Sequence, residues 1–108
     1  MDESSLVVVK TQPFNAESPP AALAAGATPT SQFYVRSNFP LPAIAPEAWR
    51  LHIGGAVAQP RELDLAAIEA MPRRTLAVTL ECAGNDRIGL QPLPEGEPWG
   101  GGAVSTGI

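Results

Sequence analysis

Residues 75–90, TLAVTLECAGNDRIGL, constrain the fold of this chain most strongly, because a strand pattern runs directly into a turn sequence. Alternation with a period of two is typical of a β-strand, and one side of this pattern carries Leu76, Val78, Leu80 and Cys82. Residues 83–86 favour a turn, since Gly and Asn tolerate positive φ and Asn and Asp bond to nearby backbone. The sequence therefore predicts the cysteine at a corner between a strand and a loop, with Arg87 close behind it.

The single cysteine, Cys82, has two interpretations. A nearby cation and loop amides stabilise the thiolate, which attacks electrophiles or binds a soft metal. A free cysteine also serves commonly as a small buried hydrophobe. A nucleophilic or redox thiol needs a base beside it, and His52, the only histidine, falls in a different predicted strand. The residues alone leave a structural and a functional thiol open.

The length and composition of the chain limit the fold classes and functions that it can have. A length of 108 residues allows one small domain, and 12 Pro with 10 Gly indicate much turn and loop. We expect the α+β class with a mixed, mainly β core. The formal net charge of -4 argues against a nucleic-acid surface. One cysteine cannot form an internal disulfide, and no Cys/His set has zinc-site spacing.

The N-terminal residues predict a cytoplasmic protein with no membrane span. Their one apolar run, residues 6–9, is far shorter than a signal-peptide core or a transmembrane helix. Residues 1–30 are rich in Pro, Ala, Ser and Thr, and prolines interrupt any helix that residues 21–25 start. We predict an extended arm over residues 1–30, ordered where it meets a partner or its own domain, and a domain over residues 31–108.

Four further segments predict regular structure. Helix signals are strongest over residues 63–71, where Asp64 caps the start and Pro72 follows the end. Strand signals fall on residues 31–38, 49–54 and 103–106. The second of these strands has His52 on its solvated side. Arg36 ends the first, where a lone arginine is as readily a solvated or ion-paired side chain as a binding residue.

Three stretches together resemble the sulfite oxidase family, also described as the oxidoreductase molybdopterin-binding domain. Residues 80–85, Leu-Glu-Cys-Ala-Gly-Asn, are similar to the family's Cys-Ala-Gly-Asn signature. Residues 33–40, FYVRSNFP, resemble its aromatic-Val-Arg-Asn-His-x-Pro stretch. Residues 99–106, WGGGAVST, resemble its Trp-x-x-Gly-Ala-(Ile/Val)-Ser-Thr run. The resemblance extends over about residues 32–106 and implies the N-terminal part of that domain, and so an incomplete one.

The resemblance implies a molybdenum-molybdopterin cofactor with Cys82 as the metal ligand. The cofactor would be contacted by Tyr34, Val35, Arg36, Ser37, Asn38 and Cys82. Arg36 and Arg87 would bind the oxyanion substrate, and Trp99 would line its pocket. Ser37 and Asn38 stand where the family has Asn and His, and Asp86 stands where it has the first of two arginines.

The implied activity is a sulfite oxidase-type reaction, oxygen-atom transfer to sulfite or a similar small oxyanion. A separate protein would accept the electrons, since the chain has no pair of histidines to bind a haem, and a full-length form would be a homodimer. The alternative is a truncated, non-catalytic remnant that acts at most as an interaction module through unpaired sheet edges.

Overall fold

The computed structural model describes residues 5–108, which fall into two compact units. The first contains residues 5–41 and 75–108, and the second is Pro42–Arg74. The strands are β1 (Val7–Thr11), β2 (Phe14–Glu17), β3 (Leu51–Ile53), β4 (Arg61–Leu63), β5 (Val78–Glu81) and β6 (Val104–Gly107). The helices are α1 (Pro20–Leu23) and α2 (Leu65–Glu69), with 3-10 turns at Thr30–Gln32, Pro46–Ala48 and Arg87–Gly89.

Short strands outnumber short helices among these residues, which agrees in part with the predicted α+β class. The strands pair as β1 with β2, β3 with β4 and β5 with β6, and each pairing is antiparallel. The predominance of strands over helices agrees with a mainly β core. None of the helices in residues 5–108 is long and apolar enough to cross a membrane.

The N-terminal segment is part of the first unit. Ala16 and Val35 exchange two backbone hydrogen bonds of 3.0 and 2.8 Å. Ser18 N donates to Gly102 O at 2.8 Å, and Thr28 N donates to Thr106 O at 2.8 Å. The boundary predicted near residue 30 is therefore not a boundary between the two units. The arm was predicted to be ordered where it meets its own domain, and composition does not reveal which distant backbone groups it bonds to there.

Helix α1 begins at Pro20, at a position where its missing N–H and fixed φ are tolerated. It is four residues long and ends after Leu23, so the prolines do not prevent a helix here. The predicted strand over residues 31–38 is mostly wrong. This segment begins with a 3-10 turn, and only Val35 makes a β-bridge. β-Propensity reports fit to a pleated surface, and within this segment only Val35 pairs with a strand through its backbone.

The cysteine strand is shorter and more exposed than its pattern suggests. β5 pairs with β6 so that Leu80 faces Ser105 and Glu81 faces Val104. The predicted strand over residues 103–106 is thus confirmed as β6. All residues of β5 are exposed, and Leu80 keeps 55% of its surface in water. The predicted strand is therefore present, but no other described residues cover the apolar side chains of β5.

The buried core of the described residues is small and half polar. Its apolar members are Ala16, Ala22, Trp99 and Ala103, and its polar members are Asn15, Ser18, Thr28 and Ser105. A hydrogen bond of 2.7 Å joins the hydroxyls of Ser18 and Ser105. Because buried polar groups cost free energy unless they are paired, such bonds determine which arrangement of the backbone is stable.

The second unit confirms two sequence predictions. β3 lies within the strand predicted over residues 49–54, and its His52 side chain is exposed and 3.0 Å from the Glu62 carboxylate. α2 lies within the predicted helix, and the Asp64 carboxylate accepts a hydrogen bond of 2.8 Å from Ala67 N. The N-cap signal was therefore correct.

We predict that Gly102→Ala destabilises the first unit by about 2 kcal/mol, because overpacking against a fixed backbone forces it to shift. A Cβ at Gly102 would lie 2.6 Å from the Ser18 carbonyl oxygen and 2.7 Å from Glu17 Cβ. At Gly101 a Cβ would meet nothing within 4 Å, so Gly101→Ala should change the free energy of unfolding by less than about 0.5 kcal/mol. Urea unfolding measures the free energy of unfolding of both variants. Equal changes would contradict the close approach of Glu17 and Ser18 to Gly102.

Candidate cofactor site around Cys82

Cys82 directly follows β5 and is held by backbone hydrogen bonds on both sides. Its N–H donates to Ala103 O at 2.9 Å, and its carbonyl accepts from Asn85 N at 2.9 Å. The thiol is free and half-buried. The predicted corner between a strand and a loop is confirmed, and the sulfur is presented from a backbone that pairs with a neighbouring segment.

The turn after Cys82 is anchored to the glycine-rich segment, residues 100–102, and to Ala103. Asn85 Oδ1 accepts a hydrogen bond of 2.9 Å from Ala103 N, and Asp86 N donates to Gly100 O at 2.6 Å. The left-handed conformation falls on Asp86, with φ of 59°. Asp adopts this region more readily than most residues, since its short side chain bonds locally. The residue that departs from the family motif thus carries the unusual backbone of the turn.

Tyr34 lies within electrostatic range of Cys82. Burial raises the pKa of the Tyr34 hydroxyl, and the negative charges of Cys82 and Glu81 raise it further. The Tyr34 backbone N–H donates to Ser105 Oγ at 3.0 Å. Tyr34 and Cys82, which the resemblance assigned to the cofactor, therefore both bond to residues 103–105, although 48 positions separate them in the sequence.

Arg36 is exposed, and the three hydrogen-bond acceptors that it has among residues 5–108 are uncharged. Nη1 donates to Ser37 O at 2.7 Å and to Asn15 Oδ1 at 3.3 Å, and Nη2 donates to Asn38 Oδ1 at 3.4 Å. These contacts orient the guanidinium without neutralising it. Ser37 Oγ donates to Phe39 O at 2.8 Å, which bends the segment locally. A cation that is held by neutral groups suits the binding of an anion.

Arg87 is half-buried and engages the loop after the cysteine turn. Its Nη1 donates to Glu97 O at 2.7 Å. A Cβ at either Gly84 or Gly96 would overlap the guanidinium, so Arg87 fills the space between the cysteine turn and the loop. Its predicted role at an oxyanion stays a prediction, and in this structure it joins two segments.

Trp99 is fully buried and is the largest side chain in the core of the described residues. Its carbonyl accepts a hydrogen bond of 3.2 Å from Ile88 N. The predicted role of Trp99 as a pocket wall also stays a prediction. Within residues 5–108, no group of three or more His, Cys, Asp and Glu is arranged to hold a metal ion.

An open cavity of about 480 Å³ lies in the second unit and contains none of the predicted site residues. It is lined by Pro46, Glu47, Arg50, Asp64, Leu65, Ala66 and Glu69.

Sequence reasoning missed Asn15 and Ser105. Both are fully buried, and both bond to the segment from Tyr34 to Ser37. A single buried Asn or Ser leaves no periodic signal, because its partners lie far away in the sequence.

Comparison with known proteins identifies the family. The chain belongs to the family described as the oxidoreductase molybdopterin binding domain, which matches residues 38–108. It is 40% identical over 106 residues to human mitochondrial sulfite oxidase, covering 94% of this chain and 19% of that protein.

Two further relatives come from other organisms, and one of them has a different name. The chain is 32% identical to Arabidopsis thaliana sulfite oxidase, over 96% of this chain and 28% of the relative. It is 36% identical to the nitrate reductase [NADPH] of Mycosarcoma maydis, over 99% of this chain and 12% of the relative. The chain therefore spans less than a third of each of these relatives.

We predict that Cys82→Ser lowers the pKa of Tyr34, because the charge of the thiolate disfavours a second negative charge nearby. Burial remains as the larger cause, so the pKa should stay above its ordinary value of 10.0. Tyr34 is the only tyrosine, so ultraviolet absorbance of tyrosinate measures its titration directly. Glu95→Gln is the control, and identical titrations of Cys82→Ser and the unchanged chain would contradict the proximity.

The raised pKa of Tyr34 makes the free energy of unfolding depend on pH. Because the folded state holds the Tyr34 proton more tightly, we expect the free energy of unfolding to be unaffected by this group below pH 10.0. It should fall as pH rises from there through the folded pKa. Tyr34→Phe should remove this fall, as measured by urea unfolding across the alkaline range.

We predict that Arg87→Met lowers the free energy of unfolding by about 1.5 kcal/mol, because it removes a charge-assisted hydrogen bond. Lys10→Met is the matched control, since Lys10 forms an exposed ion pair of 3.3 Å with the side chain of the same Glu97. That change should cost about 0.5 kcal/mol or less. Urea unfolding of both variants tests the difference, and an Arg87→Met effect as small as the Lys10→Met effect would rule out the joining role.

Proposed function

We propose that this chain contributes the metal-ligand part of a sulfite oxidase-type molybdenum site, with Cys82 as the protein ligand of molybdenum. The observation that carries the proposal is the free, half-buried thiol at a corner that backbone hydrogen bonds hold on both sides. Such a thiolate can bind a soft or high-valent metal without reorganising the backbone. Membership of the molybdopterin-binding family supports the choice of metal.

The residues around Cys82 fit a cofactor that brings its own metal ligands. The described residues offer one thiol and no cluster of further metal-ligating side chains, whereas a pterin dithiolene and oxo groups would supply the other ligands. When bound, the cofactor supplies the redox chemistry, transferring an oxygen atom to the substrate and accepting two electrons. Tyr34, Val35, Arg36, Ser37 and Asn38 would contact the pterin from the segment beside β2.

Arg36 would hold the oxyanion substrate. Its guanidinium is exposed and its hydrogen-bond acceptors are neutral, so its charge remains available to an anion. Arg87 would add a second cation from the loop side, at the cost of its bond to Glu97 O. Trp99 would support the pocket from within the core.

Sulfite or a similar small oxyanion is the proposed substrate class. Relatives named sulfite oxidase and nitrate reductase share the family, and their names refer to small oxyanions that carry their oxygen on sulfur or nitrogen. We further propose a separate electron-acceptor protein and a homodimeric full-length form. A cytoplasmic location remains a proposal, and the human relative is mitochondrial by name.

The alternative function is that of an interaction module without catalysis. The exposed apolar side chains of β5 favour it, because Val78 and Leu80 each keep 55% of their surface in water. Exposed strand edges with apolar side chains pair readily with other chains.

Metal and pterin analysis tests the proposal. The chain, Cys82→Ser and Gly101→Ala are expressed in a host that makes the cofactor, then purified and assayed for molybdenum and pterin. We expect the chain and the Gly101→Ala control to carry both, and Cys82→Ser to lose molybdenum by at least about tenfold.

Two results would contradict the proposal. Equal molybdenum in Cys82→Ser and the unchanged chain would exclude Cys82 as the ligand. An absence of both metal and pterin from the unchanged chain would mean that these residues alone do not hold the cofactor, and would favour the interaction module.

A further inference from the structure

We propose that Asn15 is a positioning residue that sets the Arg36 guanidinium and the Ser37 backbone in place for the cofactor and its substrate. The inference rests on the proposed function, since it assigns a second role to the segment that would contact the pterin. Asn15 itself would touch neither cofactor nor substrate, because its side chain is fully buried.

The Asn15 side chain uses its whole hydrogen-bonding capacity. Nδ2 donates to Pro13 O at 3.0 Å and to Ser37 O at 3.0 Å. Oδ1 accepts from Ser37 N at 2.9 Å and from Arg36 Nη1 at 3.3 Å. An amide side chain has two donor hydrogens and two acceptor lone pairs, so these four contacts fill both ends.

Asn15 extends a very short β-ladder. Ala16 and Val35 form an isolated antiparallel bridge, with backbone bonds in both directions. Beyond Val35, the side-chain amide of Asn15 bonds to both the N–H and the C=O of Ser37, as a peptide group of a neighbouring strand would. The segment is thereby fixed at two points, by backbone bonds at Val35 and by the Asn15 side chain at Ser37.

The same side chain orients the cation. Arg36 Nη1 is shared between Asn15 Oδ1 and Ser37 O, and Asn15 also determines where Ser37 O lies. Without Asn15, the Ser37 N–H and the Pro13 carbonyl would lose the partner that the side chain gives them, and an unpaired polar group beside a buried position costs free energy. Asn15 therefore links the position of the guanidinium to the buried edge of β2.

Two variants and one control separate positioning from general stability. Asn15→Ala removes all four contacts, whereas Asn15→Asp keeps an acceptor for Ser37 N and Arg36. Thr28→Val is the matched control. Thr28 is also buried, with 8% exposure, and Thr28 Oγ1 accepts a hydrogen bond of 3.0 Å from Thr106 N.

Amide hydrogen exchange, followed by NMR on the full chain, gives the first readout. We expect the exchange of Ser37 relative to Val35 to rise by about tenfold in Asn15→Ala, because its acceptor is lost while the Ala16–Val35 bridge remains. Thr28→Val should leave this ratio unchanged. In Asn15→Asp the ratio should stay near that of the unchanged chain, because the acceptor for Ser37 N is kept.

An unchanged ratio in Asn15→Ala, or an equal rise in Thr28→Val, would overturn the inference. If Asn15→Ala does not fold, Asn15→Asp decides. Selective loss of Ser37 protection in that variant would overturn the inference, and retained protection would support it.

Pterin content gives the second readout, measured per folded chain after expression with the cofactor. We expect Asn15→Ala to hold at least about tenfold less pterin than Thr28→Val, since outer positioning residues have effects of this size. Equal content in these two variants would contradict a role toward the cofactor. If the unchanged chain holds no pterin, the proposed function fails, and the exchange ratio still decides whether Asn15 positions Arg36 and Ser37.

Discussion

Two sets of hydrogen bonds, one made by β2 and one made by Ser18 directly after it, are the interactions on which the first unit depends. Within β2, Asn15 and Ala16 pair with the segment that leads to Arg36. Directly after β2, Ser18 bonds to the glycine-rich segment and to Ser105. These polar groups are buried, so each bond replaces one that water would otherwise provide. Strand β2 and Ser18 therefore join these two segments by hydrogen bonds, because few apolar side chains are buried there.

The candidate site is assembled around residues 99–105. The cysteine turn bonds to this segment through Asn85 and Asp86, and Tyr34 bonds to it through Ser105. Two parts of the chain that are distant in sequence thus share one support. Since apolar burial is limited, directional hydrogen bonds specify the geometry more than packing does, and a buried polar network is most specific when every member is satisfied. Asn15 meets that condition fully.

The charged side chains near Cys82 make different contacts in this structure. Arg36 keeps an exposed guanidinium among neutral acceptors, whereas Arg87 donates to the loop carbonyl of Glu97. Asp86 occupies a left-handed turn position and brings a negative charge where the family pattern has an arginine. The electrostatics therefore favour Arg36 as the first contact of an incoming oxyanion, and Arg87 would have to exchange partners to join it.

The sequence by itself determined the cysteine corner, the strand after the glycine run, the Asp64-capped helix and the family, because each is signalled by neighbouring residues. It could not reveal that residues 5–30 belong to the same unit as Cys82, that the strand predicted over residues 31–38 reduces to one bridge, or that Asn15 supports Arg36. Those features depend on hydrogen bonds between residues that are about 20 to 90 positions apart. Only the tertiary structure decides such bonds, since a buried Asn or Ser has the same local sequence signature whichever distant backbone group it meets.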